Sequence, residues 1–242
     1  MSPTPFQLEP MLKRTWELFY RHWLLFFAIH LTVSFPVNAL VGIISTRVNP
    51  AENLLQFFLF SGAIGGLFGM VAPAAIFAAL SRAWSGATPT YGQTWFVTMD
   101  RIGSVMLVNF CVFIFSSAGF TMCIFPGFLV LAALAFSLCA VMDEDHDAWV
   151  ALDRSVILVR SRFWVVFGYL ALVFAPLYFG IAFVLLILSA IIALVVPALD
   201  HWLAGAVLQT LISAPTLFAV VFVFVMFKTL QREPEPLQES SI

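Results

Sequence analysis

The densest run of chemically capable side chains is Asp143-Glu144-Asp145-His146-Asp147. Successive oxygen and nitrogen ligands of this kind attract divalent cations. Consecutive residues do not converge on one point without a tight turn, and no glycine here supplies the one that a calcium loop uses. The run therefore predicts a solvated loop at a membrane edge. In that reading Asp147 caps a helix beginning near Ala148, and the acidic run favours the positive end of that helix. Two alternatives stay open: a weak cation site, and pairing of the run with Arg154 or with a partner.

Other chemistry is sparse. His30, Asn38 and Asn109 are the strongly polar side chains inside apolar stretches. A polar side chain in hydrocarbon seeks a hydrogen bond on a neighbouring helix. Structural pairing is the first expectation for these three, and a substrate path the second; lining one cavity together would favour the path. No Asp, Glu, Lys or Arg lies near the centre of an apolar stretch, which argues against a proton- or ion-coupled carrier. Neither Gly-x-Ser-x-Gly nor His-Glu-x-x-His occurs. Ser155 follows Arg154 with no base at a helical neighbour position. Cys111, Cys123 and Cys139 form no CxxC and no even framework, and read as small apolar side chains. The expectation is a protein with no cofactor, no metal and no enzymatic activity.

The elements that must position these residues are membrane helices. The chain has 242 residues, 62% of them hydrophobic and 10% charged, with a mean hydropathy of +1.02. Soluble domains carry about 25% charge. A span needs about 20 apolar residues to cross about 30 Å of hydrocarbon. Six stretches qualify: Trp23–Ser45, Leu54–Leu80, Ile102–Ser117, Met122–Met142, Phe163–Val196 and Leu211–Phe227. The fifth would measure roughly 50 Å as one helix, so it either tilts and projects or breaks near Pro176 and Gly180. Residues 10–230 form one transmembrane domain, with disordered tails at 1–9 and 231–242. The apolar run from Trp23 is too long for a cleavable signal and reads as a retained first span.

Charge sets the orientation. Of the 11 Lys and Arg residues, all but Arg47 fall on one side if both termini are cytoplasmic. Such sorting follows the Lys/Arg bias of short loops. The net charge is −2 and the basic residues are dispersed, which gives no nucleic-acid partner.

Three helical-period apolar stripes lead into the odd-numbered spans: Leu12, Trp16, Phe19 and Trp23; Tyr91, Trp95, Met99 and Ile102; Trp149, Leu152, Val156, Val159 and Phe163. Such amphipathic helices lie in the interface with indoles at headgroup depth. Each inward span has a proline that precedes an apolar run: Ala72-Pro73, Phe125-Pro126 and Ala214-Pro215. This predicts three repeated hairpin units, each an interfacial helix, an outward span and an inward span. In the second span Gly62, Gly65, Gly66 and Gly69 form two overlapping small-x-x-x-small pairs. These let backbones approach closely, within the monomer or at a homodimer or partner seam. Gly119 is expected in an outer loop.

One segment resembles a known family. Pro126-Gly127 opens the fourth span and Glu144 follows at its end. Then come Ala151-Leu152-Asp153-Arg154-Ser155 and the basic-aromatic step Arg162-Phe163-Trp164, with Arg160 and Arg162 at headgroup level. This is similar to the bacterial glycerophosphoryl diester phosphodiesterase membrane-domain family and related uncharacterised six-helix inner-membrane proteins. The resemblance implies a six-helix membrane fold. The family's hydrolytic chemistry lies in a separate soluble barrel, so no catalytic residue carries over. The run at 143–147 departs from the family's single acid. Arg154 is expected to pair with Glu144 or Asp147, or with a lipid phosphate. The functional expectation is a non-enzymatic membrane scaffold or accessory protein that meets lipids or a membrane partner. A permease for a small or amphipathic solute and a membrane-embedded enzyme are the alternatives.

Overall fold

Long runs without charge, and prolines placed mostly at segment starts, leave helix as the one local structure that satisfies its own backbone in hydrocarbon. The computed structural model describes residues 7–47, 64–65, 68–195 and 201–232, and no strand occurs among them. The helices are α1 (Leu8–Arg47), α2 (Val71–Trp84), α3 (Tyr91–Asp100), α4 (Ile102–Met122), α5 (Ile124–Leu134), α6 (Ser137–Asp143), α7 (Ala148–Arg160), α8 (Phe163–Val195), α9 (His201–Ser213) and α10 (Thr216–Arg232). Among the described residues, five stretches are long and apolar enough to cross a membrane: Leu8–Ile44, Ile102–Met122, Phe125–Asp143, Phe163–Val184 and Gly205–Arg232. The chain is an all-α polytopic membrane protein.

Three times a shorter helical segment meets a longer one at a local break. Inside α1, His22 leaves helical geometry (φ −124, ψ 16). Arg101 separates α3 from α4 with φ −105 and ψ 13. Ser161 and Arg162 form the turn between α7 and α8. Pro73 and Pro126 each occupy the third residue of their helices, where the missing N–H would be unbonded in any case. Pro126 thus starts a helix rather than bending one. Pro36 and Pro176 lie inside helices, and α8 runs unbroken past Pro176 and Gly180.

The core is built on small residues. Ala72, Ala74, Ala75 and Ala79 of α2 are fully buried. They let α1, α6 and α10 come close, and in a membrane such close packing replaces the hydrophobic drive. Phe222, Phe224 and Phe227 of α10 fill the centre. Phe224 stacks on Phe77 with centroids 6.2 Å apart, and Phe227 meets Phe136 at 6.0 Å. The aromatic surface of α8, with Trp164, Tyr178, Phe179 and Phe183, faces outward. Lipid is the solvent for such a surface.

Several expectations change. The second expected span is described only in part, and Gly62 and Gly66 lie outside the described residues. Among those residues nothing comes within 4 Å of a Cβ built on Gly65, and one built on Gly69 meets only the Gly65 backbone. Close packing falls on the alanines of α2 instead. The last apolar stretch starts earlier than expected, at Gly205, and a turn at Ala214-Pro215 divides it into α9 and α10. The third extends to Met122. The first segment of α1 does not leave the bundle. Its Phe19 packs on Phe218 at 5.9 Å, so it runs beside α10. Its buried face is Met11, Thr15 and Leu18, with Trp16 turned outward. In α3 the buried residues are Thr94 and Thr98; in α7 they include Ala148, Ala151 and Ser155. The stripes are only partly offset from the buried faces: Trp16, Met99, Trp149 and Val156 are exposed, whereas Leu152 and Val159 are buried and Leu12, Phe19, Trp95 and Phe163 pack against the core.

Gly119 is in a helix and buried, not in a loop. The connection between α4 and α5 is Cys123 alone, in extended conformation. So short a link forces the helices together. A Cβ on Gly119 would lie 2.9 Å from the Gly127 Cα and 3.0 Å from its nitrogen. A Cβ on Gly127 would meet the Phe120 ring at 2.3 Å. Backbone cannot swing aside, whereas a ring can. Gly119→Ala is therefore expected to destabilise the protein by about 1–3 kcal/mol, and more than Gly127→Ala does. Phe120→Ala should rescue the second variant and not the first. Thermal unfolding in detergent reads both, and equal rescue would contradict this account.

Candidate functional site

The sequence element that ends α6 organises one pole of the molecule. Asp143 closes α6, Glu144 follows it, and Asp145 takes a left-handed backbone (φ 60). Aspartate tolerates that conformation better than most residues. The turn sends three successive carboxylates to three different elements. Asp143 pairs with Lys228 of α10. Glu144 receives Arg154 of α7 at 3.3 Å, and Gln231 of α10 also donates to it. Asp145 pairs with Arg101, between α3 and α4, at 2.9 Å. Arg101 also donates to the carbonyls of Val141 and Met142, at 2.8 and 3.3 Å, and so caps the last turn of α6. His146 lies 3.1 Å from Glu144.

The loop is therefore not simply solvated. The side chain of Asp143 is 6% exposed and that of Glu144 17%, against 76% for Asp145. Among the described residues no group of three His, Cys, Asp or Glu side chains is placed to hold a metal. The carboxylates diverge toward cations instead. Asp147 stands at the N-cap of α7 with extended backbone, but its side chain makes no capping hydrogen bond. Of the two acids considered for Arg154, Glu144 makes the contact. Arg160 ends α7 on an exposed surface. The carbonyl of Arg162 accepts the N–H groups of Val165 and Val166, which starts α8.

Ser155 is the buried partner of Arg154 in sequence and has a separate task. The apolar stretch Phe125–Asp143 is not one helix, because Ala135 and Phe136 form a turn between α5 and α6. Such a break frees backbone groups inside the bundle. The Ser155 hydroxyl donates to the Ala133 carbonyl at 2.7 Å and accepts the Phe136 N–H at 3.1 Å. Ser137 donates its own hydroxyl to Leu134 at 2.9 Å, and the Ala135 N–H reaches Ala132. The Phe136 N–H and the carbonyls of Ala132, Ala133 and Leu134 are thus met. Ser155 is fully buried, as this role requires.

A second polar constellation joins α1 to α9. His30, Ser34 and Asn38 are spaced i, i+4 and i+8 on one face of α1. His30 Nε2 lies 3.3 Å from the Thr210 carbonyl and 3.0 Å from the Ser213 hydroxyl. A carbonyl only accepts, so Nε2 carries the proton and Nδ1 accepts from Ser34 at 3.0 Å. Asn38 donates to the Thr210 hydroxyl at 2.9 Å. Asn109 is buried on α4 and does not join this seam; α4 packs on α5, α7 and α6, whereas α1 packs on α9, α10 and α2. His30 and Asn38 share the seam of α1 and α9, and Asn109 lies on α4. Sequence reasoning missed Ser34, whose place between His30 and Asn38 was a readable signal. It also missed Thr210, Ser213, Arg101, Lys228 and Gln231, whose partners are distant in the chain.

Two consequences are measurable. Ser155→Ala leaves a carbonyl and an N–H unpaired in a dry site, and is expected to cost about 1–3 kcal/mol. Arg154→Ala removes a partly exposed pair at long distance and should cost at most about 1 kcal/mol. Thermal unfolding in lipid-free detergent ranks them; a Ser155→Ala protein as stable as the parent would remove the capping role. Lys228→Met strands the buried carboxylate of Asp143 and should be the more damaging change. Adding Asp143→Leu should recover stability, because the stranded charge is then gone. A double variant weaker than Lys228→Met alone would mean that Asp143 is held by something other than Lys228.

Compared with protein-family models, with curated proteins and with solved structures, the chain gives no match.

Proposed function

We propose that the chain is a non-enzymatic scaffold or accessory protein of the bacterial inner membrane. In this reading it has six spans, both termini are cytoplasmic, and its surface meets lipids and a membrane partner, a second copy being one form of partner. The observation that carries the reading is how the chemically capable groups are spent. The carboxylates of 143–145 are engaged by Lys228, Arg154 and Arg101, and His30 and Asn38 by Thr210, Ser213 and Ser34. The outward surface of the short helices, in contrast, carries Trp16, Phe96 and Trp149 at 59%, 77% and 63% exposure. Aromatic residues at that level suit headgroups and partner helices.

Orientation rests on charge. Arg101, Arg154 and Lys228 gather on one acidic turn, and Arg232 lies one helical turn beyond Lys228. That end becomes cytoplasmic under the positive-inside bias. The three breaks at His22, Arg101 and Ser161-Arg162 support three hairpin units. The Pro126-Gly127 and Arg154-Ser155 pattern supports kinship with the six-helix membrane-domain family named above. A permease is the second reading, favoured by the polar seam of α1 and α9.

Reporter fusions after Cys123 are expected to report the outside and fusions after Ile242 the inside; the reverse would overturn the orientation. A photo-crosslinking residue at Trp16, Phe96 or Trp149 in growing cells is expected to give a protein adduct of constant mass at one site at least. Lipid adducts alone at all three, with solute uptake that requires the chain and fails in Asn38→Leu, would replace the scaffold by the permease.

A further inference from the structure

Three cations of the charged pole are matched by a carboxylate, and two further guanidiniums converge on one indole ring. Trp84 ends α2 and meets Phe224 edge-on at 6.1 Å. The guanidinium carbon of Arg14, on α1, lies 5.4 Å from its ring centroid. That of Arg232, in the last turn of α10, lies at 5.1 Å. Two like charges from opposite ends of the chain are thus held on one aromatic. Arg14 shares its charge with Glu17 at 3.2 Å across an exposed pair. No carboxylate of the described residues pairs with Arg232. Arg101, Arg154 and Lys228 contrast with Arg232, since each has its own acid.

We propose that Arg14, Arg232 and Trp84 form a site for the phosphate of an anionic glycerophospholipid headgroup. The inference rests on the lipid-meeting reading above and names the place and the chemistry. A guanidinium over an aromatic ring still carries N–H donors suited to bidentate phosphate recognition, and Arg14 gives one of its own to Glu17. A phosphate bound at this ring offsets the like charge of the two guanidiniums. Depth selects a lipid over a soluble anion. Arg232 is the last residue of the apolar stretch Gly205–Arg232, which fixes it at the polar edge of a span. Tryptophan concentrates at that level, and the inner leaflet offers anionic lipid there. Lys13 neighbours Arg14 but pairs with Glu9 at 2.8 Å.

The test titrates phosphatidylglycerol, and separately phosphatidylcholine, into the full chain in detergent, with native mass spectrometry counting bound lipid. One phosphatidylglycerol is expected to bind at least tenfold more tightly than phosphatidylcholine. Arg14→Gln with Arg232→Gln should weaken it at least tenfold; both side chains lie on the surface, so the fold should be retained. Trp84→Phe, which keeps a ring with a weaker field, should fall between. Lys13→Gln, with the same charge change as either single arginine variant, should stay within twofold. Unchanged binding in the double arginine variant, or equal loss in Lys13→Gln, overturns the site. Displacement of the lipid by an equal concentration of inorganic phosphate assigns the site to a soluble anion and overturns the lipid assignment. None of these outcomes touches the crosslinking result, so the scaffold reading can stand where this site falls.

Discussion

A helix that stops inside an apolar bundle must give its freed carbonyl and amide groups to something other than water. That constraint decides the arrangement around Ala135-Phe136. An unbroken helix would bond Phe136, Ser137 and Leu138 back to Ala132, Ala133 and Leu134. The turn cancels those bonds, and each unmet group would cost several kcal/mol in hydrocarbon. Ser155 and Ser137 meet the Phe136 N–H and the carbonyls of Ala133 and Leu134. The break in turn lets the Phe136 ring reach Phe227 on α10. One hydroxyl from α7 thus stabilises α5, α6 and, through the ring contact, the docking of α10.

The acidic turn next to α6 follows from the same geometry. Once α6 ends, its last carbonyls need donors, and Arg101 supplies them. Exposed ion pairs contribute little, and Arg101–Asp145 is of that kind. Asp143–Lys228 is different because both side chains are largely buried. Such a pair does little for net stability compared with apolar residues of the same volume, but its loss by halves is costly. It specifies which helices meet: a misplaced α10 would leave a carboxylate and an ammonium without partners. Arg154 and Gln231 reinforce the same choice through Glu144.

Away from the charged pole the bundle relies on shape. The alanines of α2 and the glycines at 119 and 127 let backbones approach, and the seam of α1 and α9 adds directed hydrogen bonds. Phenylalanines of α10 fill the centre, while the aromatic residues of α8 and Trp16, Phe96 and Trp149 stand on the periphery. Trp84 carries two guanidiniums on its ring.

Composition and periodicity by themselves determined the all-helical membrane class, the helix starts near Ile102 and Phe163, and the segment of α1 that follows the break at His22. These are local properties: hydropathy over about 20 residues, Lys/Arg placement and turn-forming residues. Helix ends were less legible, because the turn at Ala135-Phe136 carries neither glycine nor proline and depends on a serine 19 residues away. The acidic run looked like a solvated loop since its cations, Arg101 and Lys228, lie far off in sequence. Gly119 looked like a loop residue because a one-residue link and the contact with Gly127 appear only when two helices are side by side. The faces that pack combine small residues such as Thr15, Thr94 and Ala151 with Met11, Leu18, Leu152 and Val159, a mixture that the spacing of large apolar residues does not reveal. Sequence spacing fixes which side chains share a helix face; only the tertiary structure decides which face meets a neighbour, because that depends on how closely two backbones can approach.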